Sequence, residues 1–304
     1  MIETRTTKAF GLTTPILSAG MTFVAREPLA AAVCNAGGMG FLGTDTIAPD
    51  MLAQMIRTTR TLTSRPFGLD MMVPFFSEAH LEVCLAEPVA VVNFLWGYPD
   101  WVWVEKLQNA GSQVWMQARS LDEAKGALQC GLDALIVQAA EGERTGGGLM
   151  SVLPAVVDAV PLPVIASGNI VDGRCLAAAL ALGAEAVRCG TRFLSAIESD
   201  SQAEYERRVG ADTNEQTVTS NLFTPEWPDP PERVSSFPEE PEQAFAESRP
   251  LTTQARDKRD KAAGGKDPLV EGATEAMPAA EIMREMTRQA ETILAKYSSL
   301  RAVA

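Results

Sequence analysis

Two short apolar runs, each followed by a glycine, are the part of the chain whose residue types best fit a chemical role. Both lie between Pro163 and Phe193, where Gly168 follows PVIAS and Gly190 follows AVRC. In a parallel barrel the loops after the seventh and eighth strands form a phosphate cradle, because glycine lets the backbone approach and a helix N-terminus adds positive charge. The stretch therefore predicts a phosphorylated cofactor. Two strand-to-helix turns that merely contain glycine are the alternative.

Further candidates lie at the ends of other strands, because catalytic groups of a parallel barrel occur at the carboxyl ends of its strands. The first strand ends in a turn of small residues at Gly20, where a planar ring can lie against the backbone and the Met21 N–H can reach a ring heteroatom. The third strand ends at Asp70, and the sixth ends at Gln138 before the Gly-rich loop AAEGERTGGG. For Gln138, an amide that satisfies strand ends is the alternative role.

The elements that must position these residues alternate between short apolar runs and helical patterns, which is typical of a parallel sheet covered by helices. Several runs are apolar nearly throughout, as expected for strands buried on both faces. The predicted fold class is α/β, a (β/α)8 TIM barrel formed by residues 1–198. Its eight strands are predicted at Ile16 to Ala19, Gly40 to Leu42, Phe67 to Met71, Val89 to Phe94, Gln113 to Gln117, Ala134 to Gln138, Pro163 to Ser167 and Ala186 to Cys189.

The pattern changes after the barrel. Residues 199–277 are predicted as an irregular, Pro-rich and acidic segment that covers the barrel mouth, because the seven Pro between Thr217 and Pro250 oppose regular strands and helices. Residues 278–304 are predicted as a C-terminal helix that packs back on the barrel. Its apolar stripe at helical spacing contains Ile282, Met286, Ile293 and Tyr297.

The composition excludes several classes of partner. With 26 Lys and Arg against 39 Asp and Glu, the net charge of −13 argues against nucleic acid, because no basic face would neutralise phosphates. The five Cys lack ligand spacing, which suits a reduced cytoplasmic protein without a metal site. No signal peptide and no apolar run of membrane-spanning length are apparent, so we expect no membrane partner.

Several motifs occur in an order that resembles the nitronate monooxygenase family, formerly called 2-nitropropane dioxygenases. The matching stretches cover about 200 residues plus the C-terminal helix. They are TPILSAGM, NAGGMGFLG, RPFGLDM, VVNFLWGYP, SLDEAKGALQCGLDALIVQAAEGERTGG, LPVIASGNIVDGRCLAAALALGAEAVRCGTRFLSAIES and, more faintly, LFTPEWPDPPERV. Members of this family are FMN-dependent TIM barrels, so the resemblance implies FMN as the cofactor.

The resemblance also implies where FMN binds. Its phosphate would be held by Gly168, Gly190 and Thr191, with further bonds from Ser167 and Asn169 beside the first turn. The positions that correspond to the family's contacts with the flavin ring and ribityl chain are Gly20, Met21, Asp70 and Gln138.

The chain departs from the family at the reacting end of the site. Where the family typically reads QGxEAGGHxG, this chain reads QAAEGERTGG, and an ungapped alignment places Thr145 at the position of the histidine that acts as a base toward nitroalkanes. Threonine does not titrate near neutral pH and cannot replace it. The single histidine, His80, is interpreted as a surface or packing residue. Glu141 and Glu143 are candidate replacement acids or bases, and Arg144 is a candidate anion clamp or a solvated loop charge.

A second departure is Asp70, which stands where the family usually has Asn. An ionised carboxylate accepts hydrogen bonds and donates none. Either burial therefore raises the pKa of Asp70, or its partner is a donor. Asp70 is also a further candidate acid or base.

These departures predict a reaction that needs no imidazole base. A nitronate is already a carbanion equivalent, so the first hypothesis is oxidation of an anionic nitronate-like substrate by FMN and O2 to a carbonyl compound and nitrite. The alternatives are an FMN-dependent NAD(P)H enoyl-thioester reductase and a flavin-binding relative with altered or lost chemistry. The partners expected are a small-molecule substrate with O2 or NAD(P)H, and the sequence leaves a homodimer open. Trp96 is among the aromatic residues that suggest an apolar pocket wall.

Overall fold

The structure is a computed structural model that describes residues 2–21, 24–44, 47–138, 148–200, 217–220, 232–235 and 276–298. Within these ranges, short strands alternate with helices from the N-terminal part of the chain to residue 200. None of the helices in the described ranges has the length and apolar character that a membrane crossing requires.

Eight parallel strands form a barrel, and all eight lie where the apolar runs predict them, with ends shifted by at most two residues. β1 pairs with β8, and a bridge from Leu17 to Met39 joins β1 to the residues before β2 and closes the ring. The TIM-barrel prediction is confirmed. The strands are β1 (Ile16–Ser18), β2 (Phe41–Gly43), β3 (Gly68–Met72), β4 (Val91–Leu95), β5 (Gln113–Ala118), β6 (Ala134–Gln138), β7 (Val164–Ser167) and β8 (Ala186–Cys189).

The helices begin at capping residues that the sequence supplies. Asp100, Ser120 and Asp172 each accept a backbone N–H bond in the first turn of the helix that follows. The helices are α1 (Arg5–Phe10), α2 (Glu27–Asn35), α3 (Pro49–Leu62), α4 (Glu78–Ala86), α5 (Trp101–Asn109), α6 (Leu121–Ala127), α7 (Leu149–Ala159), α8 (Gly173–Ala181) and α9 (Ala279–Ser298). Short 3₁₀ turns occur at Val73–Phe75, Leu128–Cys130 and Thr191–Phe193.

The barrel interior is apolar toward its amino end and polar toward its carboxyl end. Phe41 and Trp115 fill the apolar part, with ring centroids 5.9 Å apart. Because strand side chains alternate between the two faces of a sheet, the inward positions one step further along carry the polar residues. The register places Asp70 beside Asn93 on β3 and β4. The fold therefore gathers its buried polar groups at the end where barrel active sites lie.

The C-terminal helix α9 packs against α8 and α2. Ile282, Met286 and Ala290 are buried, and Ile293 is half-buried. Tyr297 is 58% exposed, so its assignment to the buried stripe is wrong. The stripe continues past the end of the surface on which the helix rests.

The segment 199–277 is not wholly irregular. Thr217–Ser220 (β9) and Glu232–Ser235 (β10) form an antiparallel pair, which corrects the expectation that its proline content opposes strands there. The proline residues of this stretch flank the two strands in the sequence and do not lie within them. The remainder of 201–275 lies outside the described residues, so its position over the barrel mouth stays a prediction.

Candidate active site

Four polar side chains from four strands meet in the barrel interior near its carboxyl end. Arg188 on β8 donates from Nη2 to Asp70 Oδ2 on β3 and from Nη1 to Gln117 Oε1 on β5, the latter over 2.9 Å. Asn93 on β4 donates from Nδ2 to Asp70 Oδ1 over 2.8 Å. Asp70 and Asn93 are fully buried, and Arg188 is 3% exposed. We call Asp70, Asn93, Gln117 and Arg188 the buried polar cluster.

The surroundings of Asp70 fit both explanations that the sequence left open. Removal from water raises the pKa of its carboxyl group, and the charge of Arg188 and the hydrogen bonds from Asn93 and Gly20 oppose that rise. All three partners are donors, as a carboxylate requires.

The turn after β1 is built around the same carboxylate. The Gly20 N–H donates to Asp70 Oδ2 over 2.7 Å, and a Cβ at Gly20 would lie 2.5 Å from the Leu42 carbonyl oxygen. Glycine is therefore required here for close packing against β2 and β3. The Met21 N–H donates to the Ala19 carbonyl over 3.0 Å, and its contact with a flavin ring stays a prediction.

The two predicted phosphate turns lie side by side after β7 and β8. Gly168 and Asn169 have φ angles of 107° and 49°, which turn the backbone sharply where β7 ends. Asn169 Oδ1 is buried without a hydrogen-bond partner among the described residues. At Gly190 an added Cβ would meet only Ala19 and Met21 side-chain atoms, at 3.6 Å or more, so there is room in front of this backbone.

The N-terminus of α8 follows the first of these turns. Asp172 accepts the N–H groups of Arg174 and Cys175, and Gln289 of α9 accepts that of Gly173 over 3.0 Å. These first-turn donors are already bound within the protein. A phosphate here would depend on the 168–169 turn and on Gly190 with Thr191.

Gln138 ends β6 and pairs in register with Ser167 of β7, which in turn pairs with Arg188 of β8. The predicted site residues Gln138 and Ser167 are thus brought together beside the buried polar cluster. Thr145, Glu141 and Arg144 lie outside the described residues, and their roles stay predictions.

The single histidine has a structural role. His80 lies in the first turn of α4, where Ser77 Oγ is 2.7 Å from Nδ1 and the Ile47 carbonyl oxygen is 2.8 Å from Nε2. Because a carbonyl only accepts, Nε2 carries the proton and Nδ1 accepts from Ser77. The sequence interpretation of His80 as a packing residue agrees with this position.

A cleft of about 220 Å³ opens at the barrel mouth between the loops after β4 and β5. Arg119 Nη2 and Glu123 Oε1 are 3.0 Å apart within its wall, and Glu123 also accepts the Arg119 N–H over 2.8 Å. These charges neutralise each other, so the cleft is close to neutral. The residues that line it include Trp96, Tyr98, Met116, Gln117, Arg119 and Glu123.

Comparison with known proteins agrees with this arrangement. The nitronate monooxygenase family profile matches residues 3–80 and 73–226, most of the chain. The chain belongs to the nitronate monooxygenase family. A nitronate monooxygenase of Paraburkholderia phytofirmans is 31% identical over 258 residues, which is 68% of this chain and 70% of that protein. Membership identifies the chain as a flavin-dependent oxidoreductase.

A relative with a different name has a higher sequence identity to this chain than the Paraburkholderia protein has. The (3aS,4S,5R,7aS)-5-hydroxy-7a-methyl-1-oxo-octahydro-1H-indene-4-carboxyl-CoA dehydrogenase of Rhodococcus jostii is 38% identical over 201 residues, 65% of this chain. The match spans 57% of that relative's length.

Solved structures extend the likeness along the chain. FabK from Thermotoga maritima superposes with a TM-score of 0.83 at 29% identity, covering 98% of this chain and 99% of FabK. A nitroalkane oxidase from Streptomyces ansochromogenes gives a TM-score of 0.80 at 27% identity, covering 96% and 99%. The family fold therefore carries more than one named activity.

Sequence reasoning missed three members of the buried polar cluster: Asn93, Gln117 and Arg188. Each is a polar residue within an otherwise apolar strand, in VVNFL, QVWMQA and AVRC. That interruption near the end of a predicted buried strand was the available signal, because an unpaired polar side chain is costly in a barrel interior.

Proposed function

We propose that this protein is an FMN-dependent oxidoreductase that exchanges hydride with the carbon β to the carbonyl of a thioester whose acyl group is uncharged. The observation that carries the proposal is the neutral cleft at the barrel mouth, whose Arg119 and Glu123 charges are paired with each other. An unpaired cation would favour an anionic group in the cleft, whereas this wall suits an uncharged acyl group. The 38% identity to a dehydrogenase of a carboxyl-CoA supports the same substrate class.

Groups at the ends of β7 and β8 support FMN binding. The unpartnered Asn169 Oδ1 fits a donor such as a ribityl hydroxyl, and the space before Gly190 fits a phosphate, to which Thr191 and Ser167 would add hydroxyl donors. The ring would lie toward Met21, Asp70 and Gln138. When bound, FMN supplies the hydride acceptor or donor.

The chain's own residues then bind and orient the substrate. In the proposed reduction, the β-carbon of an enoyl thioester would gain a hydride supplied by reduced FMN, the α-carbon would gain a proton from solvent, and negative charge would develop on the carbonyl oxygen between the two. N–H donors at the mouth would hold that oxygen beside the apolar part of the wall. Because His80 is bound to Ser77 and Ile47, no imidazole takes part.

Anaerobic mixing tests the proposal. Photoreduced, flavin-loaded enzyme should regain its yellow colour on addition of crotonyl-CoA, and oxidised enzyme should bleach with butyryl-CoA. NADH and NADPH are added separately to identify the reductant. Failure of both thioesters to change the flavin spectrum would reject the thioester substrate.

Nitronate oxidation is the second candidate, because the family profile and the Paraburkholderia relative favour it. It needs no base, since a nitronate is already ionised. Oxygen uptake and nitrite release with pre-ionised 2-nitropropane measure it directly. If the enzyme turns over the nitronate rapidly and thioesters leave the flavin spectrum unchanged, nitronate oxidation replaces the first proposal.

A further inference from the structure

The amide of Gln117 has a fixed orientation. Its Oε1 accepts from Arg188 Nη1 over 2.9 Å, and a guanidinium group has donors only. The amide oxygen must therefore face Arg188, and the NH2 group must face away from it. Gln117 also lines the cleft between the loops after β4 and β5.

The NH2 group of Gln117 has no partner among the described residues, whereas its oxygen is bound. The guanidinium that holds this oxygen is itself held by Asp70, which Asn93 and the Gly20 N–H fix from two further directions. Gln117 is thus a neutral donor held in place by a buried ion pair. A donor fixed in advance costs little ordering when a ligand binds.

We infer that Gln117 donates a hydrogen bond from its side-chain amide to the carbonyl oxygen of a neutral substrate seated in this cleft, and so helps to set substrate specificity. The volume of about 220 Å³ suits a short acyl group and not a whole coenzyme. Trp96, Tyr98 and Met116 provide the apolar contacts for that group.

The backbone around the cleft supports a binding role. Trp96 has a φ of 59° and Gly97 a φ of 137°, and a left-handed conformation is costly for a bulky residue such as tryptophan. Strain of this kind concentrates at functional sites. By strand order, β6 lies between β5 and β7, so the cleft does not adjoin the predicted phosphate turns after β7 and β8.

The test is a binding experiment, because the inference rests on the proposed function but must be separable from it. The probes are S-butyryl-N-acetylcysteamine and the matched thioether S-butyl-N-acetylcysteamine, which lacks the carbonyl oxygen. Flavin-loaded wild-type protein should bind the thioester roughly fivefold or more tightly than the thioether by calorimetry, as expected for one hydrogen bond. The infrared band of a ¹³C-labelled carbonyl should shift to lower wavenumber on binding.

Gln117→Glu is the informative variant. A carboxylate keeps a partner for Arg188 but presents an acceptor to the cleft, so the thioester preference and the infrared shift should both disappear while the unfolding transition is retained. Gln117→Leu removes the donor without adding charge and should give the same loss of preference. Gln129→Glu, at an exposed position of the 3₁₀ turn after α6, adds the same charge elsewhere and should change neither measurement.

The outcomes separate the two proposals. Equal binding of thioester and thioether by wild-type protein overturns the inference, as does an unchanged preference in both Gln117 variants. Loss of FMN from Gln117→Glu with an unchanged thioester preference assigns the donor to the cofactor and also overturns it. A donor-dependent preference combined with a flavin that no thioester oxidises or reduces rejects the proposed function and leaves the inference standing.

Discussion

At the scale of single residues, the ion pair between Asp70 and Arg188 is expected to matter more to stability than any exposed pair. Both groups are removed from water, so breaking the pair leaves one charge buried without compensation. We expect Arg188→Leu to lower the free energy of unfolding by roughly 3–5 kcal/mol, measured by urea denaturation. Exposed Arg174, which pairs with Asp172, provides the control, and Arg174→Leu should lower the free energy of unfolding far less.

The double variant Asp70→Asn with Arg188→Gln separates charge from packing. It removes both charges and keeps hydrogen-bonding groups of similar size, so it should recover most of the stability that Arg188→Leu loses. A double variant as unstable as the single one would mean that the shape of Arg188, and not its charge, is what the barrel needs.

Gly190 is the residue at which cofactor binding and folding should separate most cleanly. Its φ of −99° suits any residue, and the space before it accepts a Cβ. Gly190→Leu should therefore fold with a near-native unfolding transition but purify colourless, because the side chain takes the place of the phosphate. Flavin content is measured by absorbance after heat release, and a fully flavinated Gly190→Leu protein would contradict the assignment.

Single residues were predictable from the sequence where their role depends only on neighbouring residues. Gly168 and Gly190 stand next to apolar runs, so turn chemistry alone identified them. Arg188 and Asp70 are 118 positions apart in the sequence, and only the strand register brings them together. Pairings of that range depend on which inward position each strand presents, which apolar runs do not specify.

At the scale of elements, the strands were predictable because each is a short apolar run bounded by glycine, proline or a helix. The helix α1 was missed, because RTTKAF has no apolar periodicity and depends on a reciprocal cap between Thr4 and Thr7. At the exposed end of α9, by contrast, the predicted buried stripe extends too far. Its stripe is longer than the surface that α8 and α2 provide, and a pattern in one helix does not reveal the length of its partner.

The docking of α9 on α8 gives the prediction at this scale. A Cβ at Gly173 would lie 2.3 Å from the Met286 carbonyl oxygen, so Gly173→Ala must push the two helices apart. We expect a loss of about 1–3 kcal/mol in unfolding free energy and faster proteolysis near the C-terminus. Gln289→Ala removes the hydrogen bonds to the Gly173 N–H and to Glu285 without adding bulk between the helices, and should cost about 1 kcal/mol. Equal effects of the two variants would argue against close packing as the reason for glycine.

At the scale of the whole molecule, the barrel separates stability from chemistry along its axis. The amino end is filled by aromatic and aliphatic side chains, whereas the carboxyl end carries the buried polar cluster, the glycine turns and the neutral cleft. This division lets the reacting end diverge while the fold persists. It accounts for one architecture being shared with FabK and with a nitroalkane oxidase at under 30% identity.

The absence of any histidine apart from His80 leads to a prediction about the whole enzyme's pH dependence. His80 ties α4 to the residue Ile47 and lies in a helix cap, so it does not serve as a base. His80→Gln should lower stability by about 1 kcal/mol and leave the turnover rate and its pH profile unchanged.

For a nitroalkane substrate, the neutral form should react far more slowly than the pre-ionised nitronate at the same pH, because no imidazole is placed to remove the proton. Equal initial rates for the two forms, measured by oxygen uptake, would show that another residue of this chain acts as the base.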